Sequence, residues 1–110
     1  MQIKLNFDRG NVMKGYKVFR ADWCATHGSG VYQFRVGGTY KVDGKSQIRK
    51  NGFHFCKNLA DCFHYYELNA GTRIAEIEAI GDIDETYDAC CTNEIRIVKE
   101  ISWADVLQYL

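Results

Sequence analysis

The segment NGFHFCKNLADCFHYYE, residues 51–67, concentrates the side chains best suited to chemistry. Thiols and imidazoles are common zinc ligands, and a structural zinc site needs about four ligands in a tetrahedron. On a strand, His54 and Cys56 share a face, whereas Cys62 and His64 point in different directions on a helix. The pairs do not converge, so we predict buried thiols and no metal site.

A cysteine nucleophile would need a histidine base and a third group that orients the base. Cys56 with His27 or His64 is the candidate pair, but no local motif marks it. We therefore interpret the segment chiefly as a strand-to-helix core unit made of Phe53, Phe55, Cys56, Leu59, Cys62, Phe63 and Tyr66. His54 and Tyr65 are the residues expected to face a cleft.

The composition and charge of the chain argue against some classes of protein. The 110 residues are 46% hydrophobic, which suits a single domain over residues 1–110. Fourteen basic residues balance fourteen acidic ones, which argues against nonspecific nucleic-acid binding. No apolar run approaches the ~20 residues of a membrane span, and no signal-peptide pattern is present. We therefore expect a cytoplasmic protein with no membrane partner, whose five cysteines are thiols.

The elements that must position these residues are mainly strands. Alternation and Ile/Val content predict strands in 14–21, 31–36, 39–42, 45–50, 73–83 and 93–101. Gly-Gly at 37–38 and Asp-Gly at 43–44 are hairpin signals, so the segments 31–50 are predicted to form a short antiparallel meander. The core is placed at 13–110, and residues 1–12 are either an extension or an extra strand.

Two helices are predicted from capping signals. Asn58 with Asp61 begins one internal helix, and Ser102 with Asp105 begins a C-terminal helix. The apolar stripe of the C-terminal helix consists of Trp103, Val106, Leu107 and Leu110. The predicted fold class is α+β, with a mostly antiparallel sheet and these two helices.

The order of motifs resembles the ADP-ribosyltransferase-like fold, which includes the core of the poly-ADP-ribose polymerases. A strand ending in KVFR is followed by the strand GFHFC and a helix with DCFHYY, then by RIAEIEAIGDI and TNEIRIVKEI. In that superfamily, the first strand carries an Arg or His that holds NAD, and a late strand carries the catalytic Glu. The resemblance covers roughly residues 13–110.

Carried over by position, the resemblance implies Arg20 and Glu94 as catalytic residues. Arg20, His54 and Tyr65 would bind the cofactor NAD, and the Glu94 carboxylate would stabilise the positive charge that develops on the ribose. The motifs also depart from the family. His54, Phe55 and Cys56 replace a Ser-Thr-Ser stretch, and Thr92 replaces the first Glu of a Glu-x-Glu pair.

The same segments look like short phage and prophage proteins. This likeness implies a phage accessory protein in the host cytoplasm that binds a host protein, for example as an anti-defence, anti-CRISPR-like inhibitor, and needs no cofactor. One alternative is an NAD-dependent mono-ADP-ribosyltransferase that modifies a host macromolecule. Another is a protein that binds a sugar nucleotide or another small ligand.

Overall fold

A computed structural model of the chain describes residues 12–27, 30–64 and 71–108. Within these ranges the fold is α+β, as predicted, with antiparallel strand pairing and two short helices. The strands are β1 (Met13–Arg20), β2 (Cys24–His27), β3 (Gly30–Gln33), β4 (Thr39–Lys41), β5 (Phe53–Phe55), β6 (Thr72–Ala79), β7 (Ile83–Glu85), β8 (Cys90–Thr92) and β9 (Glu94–Glu100). The helices are α1 (Leu59–Cys62) and α2 (Trp103–Leu107).

A long bent hairpin organises the strands. β6 pairs with β9, β7 pairs with β8, and the two arms meet at a turn over residues 86–89. Only residues 80–82 separate β6 from β7, and only Asn93 separates β8 from β9. The half of the hairpin far from the turn, β6 with β9, therefore belongs to a four-stranded sheet of order β1-β6-β9-β4. The half next to the turn, β7 with β8, belongs to a three-stranded sheet of order β5-β8-β7.

Besides the hairpin, a backbone bridge between described residues of β1 and the end of β5 joins the two sheets. Tyr16 in β1 and Cys56, just after β5, exchange backbone hydrogen bonds of 2.7 and 2.9 Å. Gly15 allows this approach, because a Cβ there would lie 2.6 Å from Cδ2 of Phe55 and 2.7 Å from the Cys56 carbonyl oxygen. A circuit thus runs from β1 to β6 and from β6 to β9 by pairing, from β9 into β8 along the chain, and from β8 to β5 and back to β1 by pairing.

The sheets enclose two groups of buried side chains. The larger group is Phe19, Phe34, Phe53, Phe55, Ala75, Ile77, Ala79, Cys90, Ile95 and Ile97. The smaller group lies under the helices and consists of Val18, Cys56, Leu59, Cys62, Ile74 and Val106. Burial of Phe53, Phe55, Cys56, Leu59 and Cys62 confirms the predicted strand-to-helix core unit. Tyr66 lies outside the described residues.

The predicted meander is wrong. β3 pairs with β2, whereas β4 pairs with β9. Gly37 has φ = +89°, its N–H donates to the Ile97 carbonyl, and the Ile97 N–H donates to the Gly38 carbonyl. The glycine pair therefore makes backbone hydrogen bonds to β9 and leads into β4, which pairs with β9. It does not form a hairpin turn between β3 and β4.

Residues 45–50 are also not the predicted strand. The backbone N–H groups of Ser46 and Ile48 donate to the carboxylates of Asp82 and Asp84, at 3.1 and 2.9 Å. The Ser46 hydroxyl binds Asp82 as well. Because carboxylate side chains, and not the backbone of a neighbouring strand, accept hydrogen bonds from these N–H groups, the segment is a loop anchored to Asp82 and Asp84 and not a strand.

The helices match their predicted starts only in part. Asn58 occupies the N-cap position of α1 without a side-chain capping bond, and α1 is a single turn. Ser102 caps α2, since its side chain accepts from the Asp105 N–H at 3.2 Å. Of the predicted stripe, Val106 is buried, whereas Trp103 and Leu107 are 38% and 61% exposed; Leu110 lies outside the described residues. Neither described helix is long and apolar enough to span a membrane.

Removing the α2 cap should have a small effect. We expect Ser102→Ala to lower the free energy of unfolding by about 1 kcal/mol, because the Asp105 N–H loses its acceptor. Urea unfolding measures the change, and Ser102→Asp, which restores an acceptor, is the matched control. An equal loss in Ser102→Asp would show that the cap is not the cause.

Trp103→Ala should lower the free energy of unfolding by less than the ~3–5 kcal/mol typical of a buried tryptophan, because Trp103 is 38% exposed.

Candidate functional site

A cavity of about 670 Å³ opens between β1 and the tip of the bent hairpin. We call it the Lys17 cavity. It is lined by Tyr16, Lys17, Val18, Ile48, Arg49, His54, Phe55, Cys56, Cys62 and residues 86–89. A smaller pocket of about 320 Å³ also has Lys17, Val18 and His54 in its wall, together with Arg20. The larger cavity falls within the size range of small-molecule binding sites.

Lys17 is the main charged group of the cavity wall. It is 5% exposed, and its Nζ donates to the His54 carbonyl oxygen at 2.7 Å. Nζ also lies 5.9 Å and 6.0 Å from the ring centroids of Phe19 and Phe34. Burial lowers the pKa of Lys17 to about 8, against smaller opposing effects of Cys62 and Cys56. At neutral pH the wall therefore carries a desolvated ammonium that an anion would stabilise.

His54 supports both Lys17 and the loop at the cavity mouth. Its Nε2 accepts a hydrogen bond from the Arg49 N–H at 2.8 Å, which requires the proton of a neutral ring to be on Nδ1. Arg49 adopts φ = +67°, a conformation that costs a non-glycine residue some free energy. The imidazole therefore helps to hold Arg49 at the mouth.

Two thiols form another part of the wall. The Cys62 thiol donates to the Tyr16 carbonyl oxygen at 3.9 Å, and its interaction with the Cys56 thiol raises the pKa of Cys62 and lowers that of Cys56. All five cysteines are free and buried. The Lys17 ammonium acts in the direction of a lower pKa at both Cys56 and Cys62. Cys56 is consequently the member of the pair that loses its proton first.

The hairpin tip forms the outer rim. The Thr86 N–H donates to the Ala89 carbonyl oxygen at 2.7 Å, which closes the turn. Tyr87 is 98% exposed, and an Asp88 carboxylate oxygen lies 3.4 Å from Nδ1 of His64. The rim therefore presents a fully exposed aromatic ring beside the cavity.

The structure does not bring Arg20 and Glu94 together. Arg20 pairs with Thr72 at the first residue of β6, while the Glu94 carbonyl accepts from Ile80, just past the last residue of β6. The two positions are separated along the sheet by roughly 25 Å, at ~3.3 Å per residue. Their side chains thus lie at opposite ends of the four-stranded sheet.

Each of these two residues has a local setting of its own. The exposed Arg20 guanidinium forms an ion pair with Asp22 at 3.3 Å. The backbone of Glu94 is bound by the hydroxyl of Thr92, which is fully buried. Arg20 reaches only the smaller pocket, where His54 is also found, and Glu94 lines neither pocket.

Two further predictions concern Tyr65 and metals. Tyr65 lies outside the described residues. Among the residues that the structure describes, no group of three or more His, Cys, Asp and Glu side chains is placed to hold a metal ion.

Comparison with known proteins assigns a family. Residues 13–109 match the family described as "Domain of unknown function (DUF7666)". The chain belongs to this family. No curated protein and no solved structure matches the chain.

Sequence reasoning missed Lys17, Arg49 and Tyr87 in this family member. Period-two alternation puts Lys17 on the same face of β1 as Phe19, but Val18 on the opposite face is also apolar, so alternation alone does not mark Lys17 as internal. Tyr87 lies in a hairpin tip that alternation does not describe. Arg49 reaches the cavity only through an anchored loop that was interpreted as a strand.

Proposed function

We propose that this protein is a noncatalytic binding module that acts on a host protein through the Lys17 cavity and its rim. The observation that carries this proposal is the hairpin tip, where Tyr87 is 98% exposed beside a cavity of about 670 Å³. Exposed aromatic side chains next to a pocket are typical anchors of protein interfaces. The likeness to phage accessory proteins supports a partner in the host cytoplasm, and an anti-defence role is the form of this proposal that the likeness favours.

The ADP-ribosyltransferase-like fold remains a prediction. A transferase of that kind needs an NAD-binding Arg and a catalytic Glu at one nicotinamide ribose. The strand register separates Arg20 from Glu94 by most of the length of β6. This separation supports binding over NAD-dependent transfer.

The proposal predicts that host-protein binding depends on Tyr87. A tagged parent protein should retain one host protein saturably, and Tyr87→Ser should weaken that binding by about 30-fold, the effect of losing an anchor worth ~2 kcal/mol. Val31→Ser is the matched control, because Val31 is also exposed, at 58%, but does not line the Lys17 cavity. Quantitative co-purification and a titration with the purified partner measure both variants.

Two outcomes would contradict the proposal. The first is the absence of any saturable partner, or an equal loss of binding in Val31→Ser. The second is consumption of NAD by the parent that Glu94→Gln abolishes, since this result would restore the transferase.

A further inference from the structure

The Lys17 ammonium has more hydrogen-bonding capacity than the described residues use. An ammonium has three N–H donors, and Lys17 spends one on the His54 carbonyl. It forms no ion pair with a carboxylate among the residues that the structure describes. A buried charge without a countercharge is costly, so an acceptor that reaches Nζ from the cavity would be strongly favoured.

The rest of the cavity restricts that acceptor. Val18, Ile48 and Phe55 give it apolar walls. At the mouth the exposed cation of Arg49 and the half-buried carboxylate of Asp88 offset each other in charge, so Lys17 carries the uncompensated charge of the lining. One buried cation with two remaining donors matches one negative charge on two oxygens, which is a carboxylate. A phosphate dianion brings a second charge and a third oxygen, for which the wall supplies no further buried donor of this kind.

We propose that the Lys17 cavity binds a monocarboxylate on an apolar, ring-sized body, with the carboxylate paired to Lys17. The body occupies the space between the β1 wall and the hairpin tip. The inference rests on the proposed function in placing recognition at this cavity, and it names the chemical group that is recognised. The same chemistry is available from a free organic acid or from the C-terminal residue of a partner protein.

Small probes test the carboxylate directly. Calorimetric titration of the parent protein with 3-phenylpropionate should show binding at least tenfold tighter than with 3-phenylpropionamide, which has the same body without the charge. Lys17→Met should abolish this preference. Lys14→Met should retain it, because Lys14 lies exposed on the same strand and outside the cavity. Circular dichroism confirms that each variant is folded.

A second pair of probes distinguishes the two sources. A short peptide ending in Phe with a free carboxylate is compared with the same peptide amidated. Preference for the free peptide over 3-phenylpropionate indicates a protein C-terminus as the source, and the reverse preference indicates a free acid. Equal binding of acid and amide, or no binding of any probe at millimolar concentration, overturns the inference.

The outcomes separate this inference from the proposed function. If host-protein binding needs Tyr87 but is unchanged in Lys17→Met, the binding module stands and the carboxylate site is wrong. If 3-phenylpropionate binds in a Lys17-dependent way while no host protein is retained, the carboxylate site stands and the protein partner is wrong.

Discussion

Phe53→Ala is expected to lower the free energy of unfolding by about 3–5 kcal/mol, a large share of the ~5–15 kcal/mol typical of a domain. Phe53 is 2% exposed and makes edge-to-face contacts with Tyr32 and Phe34, with ring centroids 5.3 and 5.7 Å apart. Truncation removes apolar contact area and leaves a cavity where the two sheets meet. Urea unfolding followed by fluorescence and circular dichroism measures the loss.

Two controls define the cause of that loss. Phe53→Leu retains most of the volume and should cost clearly less. Tyr87→Ala removes a ring that is 98% exposed, so its effect on unfolding should stay within about 0.5 kcal/mol. A Phe53→Ala variant as stable as the parent would show that the ring contacts of Phe53 with Tyr32 and Phe34 do not hold the sheets together.

The second large effect is a dependence of stability on pH that originates from Lys17. Its pKa is lowered by burial from 10.5 to about 8. Between these values Lys17 has released a proton in the folded protein that it still binds in the unfolded chain, so the contribution of Lys17 to stability rises with pH. A difference of this size corresponds to about 3 kcal/mol gained between pH 8 and 10.5.

The contribution of Lys17 is isolated by difference, because tyrosines and cysteines also titrate at high pH. The free energy of unfolding is measured against pH for the parent, for Lys17→Met and for the exposed control Lys14→Met. The parent should gain about 3 kcal/mol relative to Lys17→Met between pH 8 and 10.5, because the opposite effect of the cysteines with a raised pKa, Cys62, Cys90 and Cys91, cancels in the difference. Lys14→Met should follow the parent. A difference between the parent and Lys17→Met that stays constant with pH would mean that the ammonium of Lys17 is hydrated.

The parts of the fold that were predictable are those with a clear local pattern. β1, β6 and β9 follow alternation and Ile/Val content, and Ser102 caps α2 as its spacing indicates. The pairing of β3 and β4 was not predictable from the glycine pair alone. Gly37 satisfies its N–H on β9, a partner about 60 residues further along the chain. Short strands such as β2 and β8 span too few residues for periodicity to identify them.

The site was harder to predict than the fold. His54 lies between the core phenylalanines Phe53 and Phe55 and lines both pockets, whereas its role in binding a cofactor stays a prediction. The resemblance implies a role for Arg20, whereas Lys17, three residues earlier, lies buried in the cavity wall. Alternation cannot decide which face of β1 is internal, because Lys17, Val18 and Phe19 are all buried.

The circuit of strands has a consequence for the order of folding. Residues paired between β1 and β6 lie 52 to 66 positions apart, whereas Glu85 and Cys90 near the hairpin tip are five positions apart. Pairs that are close in sequence cost less loop-closure entropy and form first. The hairpin should therefore form from its tip before β1 docks on β6. Lys17 would then leave water only in the last stage, when β1 closes the circuit. The electrostatic cost of its burial is therefore expected to fall on the docking of β1 and not on the formation of the hairpin.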